Sequence, residues 1–291
     1  MGEVLHQSFN HNNEFPSTLC IDKWYLTAAW LNTHGVVSNT STNNQSSHFT
    51  IPTMCTQPLT AHLLNLCPAG HKTATTHPFL LRAGRGTLDP TTLSSWLRQD
   101  RLYALSYVSF VGSLLSKINI PTHATRASTI EWKITDCLID ALINIRREIG
   151  LFEDILRQDF GWGGDEENDR ARTQTKAYTD LFAGAGAPNQ PLLVGMTALW
   201  ATEKCYLDAW RFARGNIGDD VGVAKGDTMR EVLIPNWSSD EFEDFVTRIG
   251  GLLDELAAQE GVTKADLRKY EDVWNQVLWA EANFWPEMER K

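Results

Sequence analysis

The chain has 291 residues, 42% of them hydrophobic, with 11 tryptophans and a formal net charge of −10. That is enough apolar side chain for one large domain or two small ones, and the acidic balance argues against a nucleic-acid binder, which carries a basic field. No apolar run approaches the length that spans a bilayer; the stretch from Trp24 to Leu31 is too short and lacks a basic n-region, so no secretory signal is read.

Residues 1–55 differ from the rest. Asn, Ser, Thr and His dominate 11–15 and 32–47, with a short apolar island between them. Such composition buries too little surface to offset ordering entropy, so this part is expected to be a disordered or loosely attached extension to a domain over 56–291. From Pro58 onward the pattern is helical. A short helix is predicted over 60–66, a connector over 68–76, and a helix or turn over 77–86. Asp89-Pro90 opens a long helix, with Asp as N-cap and Pro in the first turn, running to about Ile118. A second long amphipathic helix is predicted over 130–157, then a Gly- and acid-rich loop over 161–169. A shorter helix over 173–183 stops at Gly184, and 191–213 is apolar enough to be central. After a loop over 215–227, Ser238 with Glu241 reads as a capping box for a helix over 240–258, and Thr263 with Asp266 opens the last helix. The short β-branched run at 221–223 lies in Gly-rich loop and does not read as a strand. The fold class is therefore all-α, a multi-helical bundle around a central pocket.

Five scattered cysteines (Cys20, Cys55, Cys67, Cys137, Cys205) contain no C-x-x-C pair. They suggest neither a zinc site nor a disulfide framework, so a cytoplasmic, reducing setting is expected. The N-x-S/T triplets at Asn39, Asn44 and Asn236 read as chance matches.

Two carboxylates interrupt aromatic stripes. Trp96, Asp100, Tyr103 and Tyr107 fall at i, i+4, i+7 and i+11, and Trp274, Leu278, Glu281 and Trp285 repeat that spacing. At 3.6 residues per turn each set shares one helix face. A charge on a face that should be buried is costly unless paired, hydrogen-bonded or needed. Each could brace its own cation, Arg98 or Arg101 for Asp100, or both could line one polar site in an apolar pocket.

These residues also carry a family resemblance. His77-Pro78-Phe79, Gly86-Thr87-Leu88 and the helix with Gln99-Asp100 and Tyr103 resemble the opening of the TenA (thiaminase II) family. Ala177-Tyr178-Thr179, Trp237-Ser238-Ser239-Asp240-Glu241-Phe242 and Glu281-x-x-Phe284-Trp285 are similar to later elements of that family, in the same order. The resemblance covers about residues 57–291. It implies the heme-oxygenase-like bundle and hydrolysis of thiamin-derived aminopyrimidines for pyrimidine salvage. On that pattern Asp100 would hold the pyrimidine's amino group and ring nitrogen, Tyr103 would support that contact or the leaving group, and Glu281 would act as acid/base. Tyr107, Thr197, Glu203 and Trp285 would complete the substrate site, with Trp96 a further aromatic wall. The partner implied is a small aminopyrimidine, with neither nucleic acid nor membrane, and the resemblance allows a homo-oligomer.

The match departs from the Cys-type members at their nucleophile. With Glu203 aligned on their Tyr-x-Glu, Thr197 stands where Cys is expected and Ala201 where Tyr is; Ile234 replaces a further Tyr. Cys205 lies eight residues beyond Thr197, about 80° further round a helix, and reads as a packed thiol. Glu203 is either a site member or a brace to Lys204, Arg146 or Arg147. Di-iron members of the wider fold need a His four residues after a Glu on the third helix, where Phe152 follows Glu148. The eight histidines nearly all precede the bundle core, so no metal, haem or other cofactor is expected. Two readings follow: a metal-free, carboxylate-assisted hydrolase using water, or a pyrimidine-binding or interaction protein without chemistry.

Overall fold

A computed structural model describes residues 57–164, 170–218 and 226–288. The expected extension over 1–55 and the run at 221–223 lie outside these residues, as do parts of the two Gly-rich loops. Among the described residues there is no β-strand. The helices are α1 (Leu59–Leu66), α2 (Pro68–Thr75), α3 (Pro78–Arg85), α4 (Pro90–Leu115), α5 (Ile130–Phe160), α6 (Thr173–Ala185), α7 (Leu192–Arg214), α8 (Ile234–Trp237), α9 (Asp240–Gln259) and α10 (Leu267–Phe284). None is long and apolar enough to cross a membrane.

The caps account for most boundaries. Asp89 Oδ1 accepts the Thr92 N–H at 2.9 Å and Pro90 sits in the first turn of α4. Thr129 caps α5, which runs three residues past its expected end to Gly161, whose φ of 63° is the left-handed conformation that closes a helix. The His77 ring accepts the Phe79 N–H at 3.2 Å and opens α3. Two expectations are corrected. The segment expected as a connector is helix α2: Pro68 presets its first turn, and Ala74 and Thr75 are buried where α2 packs on α7 and α10. The capping residue of α9 is Ser239, not Ser238: Ser239 Oγ accepts the Phe242 N–H at 3.2 Å, whereas Ser238 Oγ donates to the Ile234 carbonyl at 2.6 Å. The Thr263 N–H and hydroxyl donate to Asp266 at 3.1 and 2.8 Å, closing the turn just before α10. A π-helical turn, Met229–Leu233, leads into α8.

Helix α7 is the hub, packed by α2, α3, α6, α8, α9 and α10. Every residue from Leu193 to Thr202 is buried, the pattern of a helix apolar all round. Gly84 lets α3 cross it closely, since a Cβ there would lie 2.1 Å from the Ala213 carbonyl oxygen. Asp254 of α9 caps α1, accepting the Thr60 N–H at 2.9 Å and its hydroxyl at 2.7 Å. Trp96 of α4 anchors an aromatic core with ring centroids 5.1 Å from Phe79, 5.6 Å from Trp210, 5.8 Å from Trp237 and 6.0 Å from Trp285. This cluster joins α3, α4, α7, α8 and the end of α10, and it positions the Trp237 indole at the site described next.

Candidate active site

Four carboxylates converge on the interior face of α4, α5, α7 and α10, and each accepts a hydrogen bond from an aromatic side chain. The Tyr206 hydroxyl donates to Asp100 at 3.0 Å, Tyr178 to Glu281 at 2.7 Å and Tyr107 to Glu203 at 2.5 Å; the Trp237 indole N–H donates to Glu148. Asp100 and Glu281 are buried, while Glu148 and Glu203 are half-buried. Among the described residues no salt bridge reaches any of them. Two of the candidate cations are used elsewhere: Arg101 holds Glu153 at 2.9 Å and Lys204 holds Asp208 at 2.6 Å. The alternative in which Asp100 and Glu203 brace those cations is therefore corrected to tyrosine bonding.

Burial without a counter-ion disfavours the charged form. It raises Glu148 to about 7, against the Trp237 bond that lowers it, and Glu281 to about 8, against Tyr178. Glu203 also rises to about 8, through burial first and then repulsion from Glu148 and Glu281. Asp100 is pushed well above the usual carboxylate range by burial, with Glu148 and Glu281 adding to it. Burial likewise raises Tyr103, Tyr107, Tyr178 and Tyr206 well above the usual phenol value, so they stay neutral donors. Glu148, Glu203 and Glu281 thus titrate near neutrality, as a proton donor or acceptor must.

A cavity of about 310 Å³ opens between α5, α7, α8 and α9, walled by Glu148, Glu203, Trp237, Phe242 and Phe245 among others. Its size is that of a small-ligand pocket. Behind it lies a chamber of about 40 Å³ walled by Asp100, Tyr103, Tyr107, Glu148, Glu203 and Tyr206. Asp100, Tyr103, Tyr107 and Glu203, all singled out from the sequence, thus meet on one chamber. Glu281 is not among the walls of either. It bonds Tyr178, whose ring meets Tyr103 edge-on at 4.8 Å, and its charge acts on both Asp100 and Tyr103.

Two other expected contacts lie elsewhere. The Thr197 hydroxyl donates to the Leu193 carbonyl one turn back at 2.7 Å, and the side chain is wholly buried in α7. Trp285 follows the end of α10 rather than continuing its stripe. Its ring stacks on Phe79 and Trp96, and its indole donates to the Ala74 carbonyl at 2.9 Å, a core role. Cys205 is buried, and burial pushes its thiol well above the ordinary value, as a packed thiol should be.

Sequence reasoning missed Glu148, Tyr178, Tyr206 and Trp237 as site groups. Glu148 had the signal: Ile134, Leu138, Ala141, Ile145, Glu148 and Phe152 form one helical stripe, interrupted by a carboxylate just as at Asp100.

The chain belongs to the TENA/THI-4/PQQC family, whose profile matches residues 66–291. A protein of Fusarium pseudograminearum (strain CS3096) named "Probable transcription factor" is 29% identical over 261 residues, 79% of this chain and 52% of that protein. This chain thus spans about half the length of that relative. A Glycine max protein named "Probable bifunctional TENA-E protein" is 22% identical over 218 residues, 73% of this chain and 85% of that one. The solved structure of a TenA homologue from Pyrococcus furiosus superposes with a TM-score of 0.64 at 22% identity, covering 78% of this chain and 98% of that one. At that identity the likeness is one of fold: the TenA-type helical bundle.

Proposed function

We propose that this chain is a TenA-type hydrolase acting on thiamin-related aminopyrimidines, with carboxylates and water in place of a metal or a covalent cysteine. The observation that carries this reading is a set of acids with no salt bridge among the described residues, beside a ligand-sized aromatic cavity: Glu148, Glu203 and Glu281 are held near neutral titration, and Asp100 is pushed well above the usual carboxylate range. Asp100 faces the inner chamber and would take the amino group and adjacent ring nitrogen of the pyrimidine. Tyr103 would support that contact. Glu281, protonated at neutral pH, would give a proton to the leaving group and, once ionised, take one from the attacking water, which requires the ligand to reach past Tyr103 to the Tyr178–Glu281 pair. The test is incubation of the purified protein with thiamin, aminomethyl-pyrimidine and its formyl derivative. Turnover that falls at least about 100-fold in Asp100→Asn and Glu281→Gln is expected, the scale of a lost acid/base group; no turnover of any of the three, or turnover indifferent to both changes, defeats the reading.

A second reading is favoured by one observation: at the position of the family's nucleophile the Thr197 hydroxyl is tied to its own helix. In that case the cavity binds a pyrimidine without converting it. The ligand then raises the melting temperature by mass action with no product formed, and steady-state turnover rules it out.

A further inference from the structure

The outer cavity and the inner chamber meet at a neck. Tyr107, Ile145, Glu148, Glu203 and Phe242 wall both spaces. Two of these five are carboxylates, contributed by α5 and α7. Each has one oxygen engaged by an aromatic donor, Trp237 for Glu148 and Tyr107 for Glu203, and a second oxygen with no such partner. Both stand on the walls the two spaces share, and the charge of Glu148 adds to the upward push on Glu203. Among the described residues that wall the two spaces, Arg147 is the one cationic side chain, and it lines only the outer cavity. Two carboxylates at one partly desolvated neck, neither of them in a salt bridge among the described residues, do not both ionise readily, and they titrate as a pair.

We propose that Glu148 and Glu203 form a one-proton acid pair at this neck, and that the pair passes its proton to a ring nitrogen of a basic heteroaromatic ligand, which is then held as a cation between two carboxylates. The inference rests on reading the cavity as an aminopyrimidine site, and adds Glu148 as a ligand-facing residue and the cationic state of the ligand. The transfer balances by itself: the O–H bond of the pair breaks, an N–H bond on the ring forms, and the local charge is −1 before and after. The space fits. The outer cavity of about 310 Å³ takes a six-membered ring, while the inner chamber of about 40 Å³ takes a substituent or a few waters. Phe242 and Tyr107 supply flat apolar faces for a ring edge arriving at the neck. Of the remaining titratable groups around the pair, the carboxyls Asp100 on the inner side and Glu241 on the outer favour a cation there, Tyr103 and Tyr206 stay neutral, and among the described walls Arg147 opposes it.

The test has two arms on the full chain. Infrared titration of the ligand-free protein follows the part of the protonated-carboxyl carbonyl band that is missing from Glu203→Gln, which separates the pair from Asp100 and Glu281. Because Glu148 repels the charge on Glu203, the upper midpoint of that band is expected to move to lower pH in Glu148→Gln, and an unmoved midpoint overturns the pair. Calorimetric titration with 4-amino-2-methylpyrimidine, in buffers of different ionisation heat, counts protons taken from solvent per ligand bound. Wild type is expected to take up none while the pair holds its proton and one above the upper midpoint; in Glu148→Gln that rise moves to lower pH and binding weakens at least tenfold. Proton uptake and affinity unchanged by Glu148→Gln and by Glu203→Gln overturn the transfer. If the wild type binds no pyrimidine, the aminopyrimidine reading and the transfer step fail together, and the infrared midpoint still decides whether the pair exists.

Discussion

Replacing Glu281 by Gln should make the folded protein more stable at neutral pH while abolishing any catalysis. Native Glu281 is buried and its carboxyl is pushed up to about 8, whereas an unfolded glutamate titrates at its ordinary value of 4.5. Above the lower of these values the unfolded chain has released a proton that the native state still holds. Stability is therefore lost as pH rises from the unfolded value through the native one. At about 1.4 kcal/mol per pH unit, the loss at pH 7 is of the order of 3 kcal/mol. Gln is neutral, keeps a carbonyl oxygen for the Tyr178 hydroxyl and carries no such loss. For a domain of this size that gain corresponds to a melting temperature about 6–12 °C higher. Thermal unfolding by circular dichroism near pH 5 and near pH 7, on wild type and Glu281→Gln, reads the difference directly. The two proteins should nearly coincide at the lower pH and separate at the higher. A variant less stable at both, or a difference independent of pH, would refute the reasoning that Glu281 is buried without a counter-ion.

Three further outcomes are expected. Tyr178→Phe removes the bond that lowers Glu281, so the alkaline limb of the pH–rate profile should move to higher pH, measured as kcat against pH. Thr197→Val removes a hydroxyl bonded only to its own helix; kcat/KM should change less than about threefold and stability by less than about 1.5 kcal/mol, by steady-state kinetics and denaturant unfolding. Asp254→Ala strips the cap from α1 and should cost about 1 kcal/mol, with amide exchange quickening first at the start of α1.

The long helices were legible because their signals are local. Asp89-Pro90 and the stripes of α4 and α10 mark an N-terminus and a buried face without reference to the rest of the chain. Helix α2 was not legible: Pro-Ala-Gly-His-Lys-Thr-Ala-Thr has weak propensity, and its helix exists because α7 and α10 cover Ala74 and Thr75. The site divided in the same way. Asp100, Tyr103 and Tyr107 share one helix face, so their meeting on one chamber follows from periodicity. Glu148 carries the same signal in α5, but Phe152 four positions on is no metal ligand, so the spacing points away from a role for it. Which tyrosine holds which acid depends on how α4, α6, α7 and α10 cross, and spacing along the chain does not encode that. Trp285 reads as a wall only if the stripe of α10 continues one step past Phe284; there the backbone turns extended and carries the ring into the core.

The central claim is that the cavity between α5, α7, α8 and α9 receives an aminopyrimidine at its carboxylates. A crystal structure of the protein grown with aminomethyl-pyrimidine tests it most directly. The account expects the ring at the neck between Glu148 and Glu203, flanked by Phe242, with its amino edge turned toward Asp100 within hydrogen-bond distance. A ring bound elsewhere on the molecule, or an inner face still occupied only by water at saturating ligand, would contradict it.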